Sequence, residues 1–158
     1  MSFVFNADEI FAMAEQIEKN GAQFYRKSAQ QVKDSAAKDL LFEFASMEDE
    51  HLKTFSGMRS ALSAADKKAM TFDPANEAAL YLNSLANTKV FFEKKVDTST
   101  LQSIFTAAIV AEKDSIAFYL GMKDLVPAGV GRDRIQGIIR EEMRHIRILG
   151  DKLAALKK

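Results

Sequence analysis

Glu48-Asp49-Glu50-His51 and Glu142-Met143-Arg144-His145 hold the only two histidines of this chain, each three residues after a glutamate. The histidines lie 94 residues apart, and a second motif repeats at the same offset: Glu18-Lys19 with Phe24-Tyr25, then Glu112-Lys113 with Phe118-Tyr119. In both copies 30 residues separate the lone glutamate from the paired one. A carboxylate and an imidazole at i and i+3 share one face of an α-helix and can converge on one metal. One Glu from each of two helices, with Glu-x-x-His from each of two others, is the ligand set of a two-metal carboxylate site within a helix bundle. The repeat therefore speaks to fold and chemistry at once. Its expected ligands are Glu18, Glu48, His51, Glu112, Glu142 and His145.

The rest of the chain agrees with helices. Only two prolines and seven glycines occur, and apolar residues recur at helical spacing throughout. Asn6 with Glu9 forms a capping box for a first helix reaching about Val32, and Asp34-Ser35 caps a second, about 36–62. Asp73-Pro74 reads as a start signal for a helix over about 74–94, which carries neither histidine nor repeat motif. A helix opening at Asp97-Thr-Ser-Thr and ending near Pro127, then one over about 132–156, complete the set. No run reads as a strand. The fold expected is all-α, a single domain over 1–158: a hairpin at about 8–62, a crossover helix at about 74–94 and a hairpin at about 98–156. The two hairpins pack with pseudo-twofold symmetry into a four-helix bundle.

Taken alone, Glu-x-x-His is a weak signal, because a surface pair or a core histidine explains most instances. Its recurrence with a second motif at one offset is much stronger. A duplicated bundle without metal is the competing reading, and its difficulty is electrostatic. Four carboxylates set among Ile17, Phe44, Ala45, Leu52, Ala108, Ile138, Ile139 and Ile146 would repel and raise each other's pKa values. Divalent cations reverse that penalty and couple metal binding to stability. Oxygen-rich donors with one nitrogen per metal and no sulfur suit iron or manganese, and zinc can also bind. Tyr25 and Tyr119, two turns beyond their glutamates, are either hydrogen-bond donors to ligand carboxylates or core aromatics. Glu15, Glu43, Glu50, Glu93, Glu141 and Asp114 read as solvated faces or interface charges. Glu50 and Glu141 adjoin ligand positions but should point elsewhere. Met47, Met122 and Met143 are candidate neighbours of the site.

Composition removes other classes. Lys and Arg (22) balance Asp and Glu (22), so there is no basic stripe for nucleic acid. Cysteine is absent, which excludes disulfides, a thiolate nucleophile and cysteine-ligated metal within this chain. The first residues lack a signal-peptide pattern and no apolar run approaches a membrane span. A cytoplasmic protein without a membrane partner is expected.

The motifs together resemble the ferritin-like domain of the rubrerythrin family over nearly the whole chain. The resemblance rests on Ala14 to Tyr25 around Glu18, on Phe44-Ala-Ser-Met-Glu48-Asp-Glu-His51, on Ala111-Glu112-Lys-Asp-Ser-Ile-Ala-Phe-Tyr119 and on Ile139-Arg-Glu-Glu142-Met-Arg-His145. It implies two irons, with Glu48 and Glu142 bridging, Glu18 and Glu112 terminal, and His51 and His145 each completing one iron. Two departures stand out. Rubrerythrins carry a four-cysteine rubredoxin domain, whereas this chain has no cysteine and so no such electron donor of its own. They also use an extra glutamate one turn after the third-helix ligand, where this chain has Ser115. The remaining six ligands look closer to the bacterioferritin site, and the crossover helix resembles single-domain rubrerythrin-like proteins.

The function expected is a di-iron oxidoreductase in which those six residues are both ligands and catalytic groups. It would reduce hydrogen peroxide with electrons from a separate donor. A ferroxidase or iron-binding or storage protein, and a metal-free helical interaction module, are the alternatives, with dioxygen the other candidate oxidant. A homodimer is expected on symmetry grounds, with hairpin exchange open to it because the crossover is long.

Overall fold

A computed structural model describes residues 5–68, 77–87 and 97–158. Among them are six helices and no strand: α1 (Ala7–Gln31), α2 (Ser35–Ser60), α3 (Ala64–Lys68), α4 (Glu77–Asn87), α5 (Leu101–Leu125) and α6 (Arg132–Ala155). The local signals account for the starts. The Asn6 side chain accepts from Glu9 N at 2.8 Å while Asn6 N donates to the Glu9 carboxylate at 3.0 Å. Asp34 accepts from Ala37 N at 2.7 Å. Both arrangements satisfy amide donors that a helix terminus otherwise leaves unpaired.

Three details add to the expected elements. The cap of α5 is Thr100, which accepts from Ser103 N at 3.1 Å, while Asp97 accepts from Ser99 N in the preceding turn. The single-turn α3 was not expected, because five residues are too few to show a helical period. It is started by Ser63, whose hydroxyl accepts from Asp66 N at 3.0 Å. The crossover helix is present as α4, but the expected cap at Asp73-Pro74, the end near 94 and Glu93 lie outside the described residues.

Two apolar clusters show how the long helices run. One joins Ile10 and Phe11 of early α1, Phe55 and Met58 of late α2, Met122 and Leu125 of late α5, and Ile135 and Ile139 of early α6. The other joins Ala29 of late α1, Leu41 of early α2, Ile104 and Phe105 of early α5, and Leu149 of late α6. Helices α1 and α6 therefore run one way, and α2 and α5 the other. Because α2 and α5 are parallel, the chain after α2 must return along the bundle, about 37 Å for a 25-residue helix. Helix α4 packs on α5 along this return, and its Leu82 is fully buried in the first cluster.

Fully buried Phe11 and Phe55 lie with ring centroids 6.4 Å apart, and Phe55 meets Tyr119 at 5.1 Å. Each buried phenylalanine contributes on the order of 2–3 kcal/mol. Arg59 ties α2 to α1 at that end, donating to Asp8 at 2.9 and 3.0 Å and to Glu15 at 2.7 Å. Gly131 starts α6 with φ +92°, and a Cβ there would lie 2.5 Å from Met58 Cε. The left-handed backbone calls for glycine, while the flexible Met58 end can give way.

Candidate metal centre

Between the two apolar clusters, six polar side chains face one another in the middle of the bundle. Helix α1 contributes Glu18, α2 contributes Glu48 and His51, α5 contributes Glu112, and α6 contributes Glu142 and His145. None is more than 4% exposed. The i,i+3 spacing holds each Glu and His of a pair on one helix face. Because the paired helices are antiparallel, the two faces meet symmetrically: His51 lies opposite Glu142, and His145 opposite Glu48.

In both histidines Nδ1 is the nitrogen turned toward the carboxylates. His51 Nδ1 lies 3.4 Å from Glu18 Oε2 and 3.3 Å from Glu142 Oε1. His145 Nδ1 lies 3.4 Å from Glu48 Oε1, 3.3 Å from Glu112 Oε1 and 2.9 Å from Glu142 Oε2. The donor atoms resolve into two overlapping groups, Glu18-Glu48-His51-Glu142 and Glu48-Glu112-Glu142-His145, each within 4.8 Å. Glu48 and Glu142 belong to both. Every candidate ligand from the sequence is therefore in the cluster, with the two expected bridging glutamates shared between its halves.

Buried polar atoms in folded proteins nearly always have hydrogen-bond partners. Here Glu18 Oε2, Glu48 Oε1, both Glu142 oxygens, both Nδ1 atoms and His145 Nε2 have none. Among the described residues the only other such side-chain atom is Ser28 Oγ. The unpartnered atoms thus concentrate at one place, and oxygen and imidazole nitrogen are the donors that a hard or borderline divalent cation accepts.

Without a cation the cluster holds protons tightly. Burial, then the charges of Glu48 and Glu142, push Glu18 well above the ordinary carboxylate range. Burial, then Glu142, push Glu112 up to about 8. For His51, burial pulls the imidazole down, but the Glu142 and Glu18 carboxylates beside its Nδ1 carry it up to about 12. For His145, burial is likewise outweighed by Glu112, Glu142 and Glu48, again up to about 12.

The tyrosines are donors to the site. Tyr25 donates to Glu112 Oε1, and Tyr119 donates to Glu18 Oε1. Each reaches the glutamate of the opposite hairpin. Seven residues along a helix is about 10.5 Å, too far to reach its own, while antiparallel α5 brings the other alongside. Burial, then the neighbouring Glu charge, hold both hydroxyls well above the ordinary range, so they remain donors. Phe44 stacks on His145 with centroids 4.8 Å apart, and the two imidazoles stack at 5.9 Å.

Two side chains depart from expectation. Glu141, expected on a solvated face, contacts His51 Nε2 through Oε2 at 2.6 Å although its side chain is 49% exposed. Its position beside Glu142 allows the reach across to α2, which interhelical register determines and one sequence does not show. Met143, a candidate neighbour of the site, is 51% exposed, while Met122 is fully buried in the first apolar cluster and Met47 packs against the second. Ser115 lies one turn beyond Glu112, and its hydroxyl donates back to Ala111 O at 3.0 Å. Its counterpart at the 94-residue offset is Gly21, where a Cβ would stand 3.0 Å from Glu48 Oε2.

No protein-family model matches the sequence, and no curated protein matches it. A solved structure from Thermotoga maritima, described as a ferritin-like diiron-carboxylate protein, is similar in fold. It covers 98% of this chain and 98% of its own length, with a TM-score of 0.74 and 23% sequence identity. The fold is ferritin-like. Among the described residues no helix is long and apolar enough to cross a membrane.

Proposed function

We propose that this protein is a non-haem di-iron redox protein that reduces hydrogen peroxide with electrons from a separate donor. The observation that carries the reading is the pair of overlapping Glu/His groups with unpartnered buried donor atoms. Glu18 and His51 would hold one iron, Glu112 and His145 the other, and Glu48 and Glu142 both. The diiron-carboxylate description of the structurally similar protein supports iron over manganese or zinc. When bound, two irons supply two one-electron redox centres, enough for a two-electron acceptor.

The reaction takes two electrons and two protons into one hydrogen peroxide, breaks the O–O bond and yields two waters. The residues of the chain prepare a dry, fixed site for it. Tyr25 and Tyr119 orient Glu112 and Glu18, and Phe44 covers one face of His145. The apolar clusters at either end keep bulk water away from the carboxylates, where electrostatic interactions are strongest. With no cysteine in this chain, the reading takes the electrons from a separate donor. A homodimer in the cytoplasm is part of the same proposal.

A ferroxidase is the second reading, and Ser115 favours it. With the Ser115 hydroxyl turned back to its own helix, no seventh carboxylate stands one turn beyond Glu112, and the six donors resemble the bacterioferritin set. A metal-free bundle has against it seven buried polar atoms without a hydrogen-bond partner. Anaerobic loading with Fe(II), followed by separate mixing with peroxide and with oxygen, decides among the three. Two irons per chain and faster ferric absorption with peroxide support the first reading. Faster reaction with oxygen, continuing beyond two irons, supports the second. No stoichiometric binding leaves only the third.

A further inference from the structure

The pseudo-twofold symmetry that builds the site breaks just outside it. On one side His51 has a carboxylate behind it: Glu141 Oε2 is 2.6 Å from Nε2, the nitrogen turned away from the cluster. On the other side, the residue related to Glu141 by the 94-residue offset is Met47. His145 Nε2 is buried and has no hydrogen-bond partner. A thioether is at best a weak acceptor, so Met47 is no substitute for a carboxylate.

A histidine that binds metal through one nitrogen usually donates its other N–H to a carboxylate or carbonyl. That contact fixes the tautomer, orients the ring and raises the basicity of the ligating nitrogen. With metal bound through Nδ1 of His51, the ring proton sits on Nε2, where Glu141 accepts it. At His145, the ring is positioned by stacking on Phe44, which fixes its plane but selects neither tautomer. Binding through Nδ1 there also leaves a buried Nε2–H without an acceptor, an unfavourable state.

From this we infer that the two metal positions are unequal: the Glu18–His51 position fills first and more tightly, the Glu112–His145 position later, and Glu141 is the positioning residue that sets the order. The inference rests on the two-metal reading above. Removing such a partner typically costs 10- to 100-fold in metal affinity, so the two affinities should differ by about that factor.

Cobalt(II) titration of the metal-free chain, followed by calorimetry and by the visible ligand-field bands, tests the order. The unaltered protein should bind two ions in steps separated by about 10- to 100-fold. His51→Ala should remove the tight step and His145→Ala the weak one. Glu141→Met should weaken the tight step until the two nearly coincide, whereas Glu141→Gln, whose amide oxygen still accepts from Nε2–H, should retain most of the separation. Met47→Glu should tighten the weak step. A general loss of structure at the half-exposed Glu141 side chain would not separate the Gln from the Met variant, so this contrast isolates the hydrogen bond. Equal steps in the unaltered protein overturn the inference, as does loss of the tight step in His145→Ala or an unchanged separation in Glu141→Met. Two equal steps would leave the two-metal reading standing, while absence of cobalt binding in every variant overturns both.

Discussion

Raising the pH should destabilise this protein steeply once metal is removed. Folding places Glu112 among like charges out of water and lifts it from an ordinary 4.5 to about 8. It lifts each histidine from 6.5 to about 12, because the nearby glutamate carboxylates outweigh burial. All three groups thus bind protons more tightly when folded. The stability they contribute is fully present below the unfolded values and is lost as pH rises through the folded ones. Between pH 5 and pH 8, linkage gives a loss of about 3 kcal/mol from Glu112 and about 2 kcal/mol from each histidine, roughly 7 kcal/mol together. At this chain length 1 kcal/mol corresponds to about 2–4 °C, so the melting temperature should fall by roughly 15–30 °C. Circular dichroism melts in chelator at pH 5, 6, 7 and 8 measure it directly. Glu112→Gln, which cannot titrate, should remove about 3 kcal/mol of that slope. With cobalt bound the carboxylates stay ionised at every pH tested and the slope should shrink. Metal-free melting temperatures that agree within about 2 °C across the range, less than one kcal/mol at this size, would refute the electrostatic account.

Other perturbations follow from single contacts. Tyr25→Phe removes the donor to Glu112 and Tyr119→Phe the donor to Glu18. Each should lower metal affinity with little change in the helical spectrum, and denaturant melts of the metal-free protein should shift by about 1–3 kcal/mol. Gly21→Ala places a methyl 3.0 Å from Glu48 Oε2, which both donor groups share, so both cobalt steps should weaken together; weakening of one alone would contradict the shared role. Gly131→Ala meets a φ of +92° and the Met58 methyl at once, and should cost on the order of 1–3 kcal/mol of stability while leaving metal stoichiometry unchanged.

Much of this was legible in the sequence because the repeat encodes it twice. The capping signals at Asn6-Glu9 and Asp34 placed helix starts, since capping depends on neighbours within one turn. The six inward residues were legible for a similar reason: i,i+3 spacing decides which face they share, and the 94-residue offset pairs the faces. What depends on register between helices was not legible. Nothing within α6 shows that Glu141 reaches His51 on α2, since that contact spans 90 residues. The crossing of Tyr25 to Glu112 and Tyr119 to Glu18 likewise required the antiparallel meeting of α1 with α5. The start signal Asp97-Thr-Ser-Thr, by contrast, was legible for the same local reason as the other caps: its Thr100 caps α5 while Asp97 accepts from Ser99 N.

On the proposed reading, Glu18, Glu48, His51, Glu112, Glu142 and His145 hold two irons. Iron per chain, measured after anaerobic loading with Fe(II) and removal of unbound metal, tests it most directly when the same measurement is made on His51→Ala and His145→Ala. Two irons are expected in the unaltered protein and one in each variant. No retained iron, or two irons still held by both variants, would contradict it.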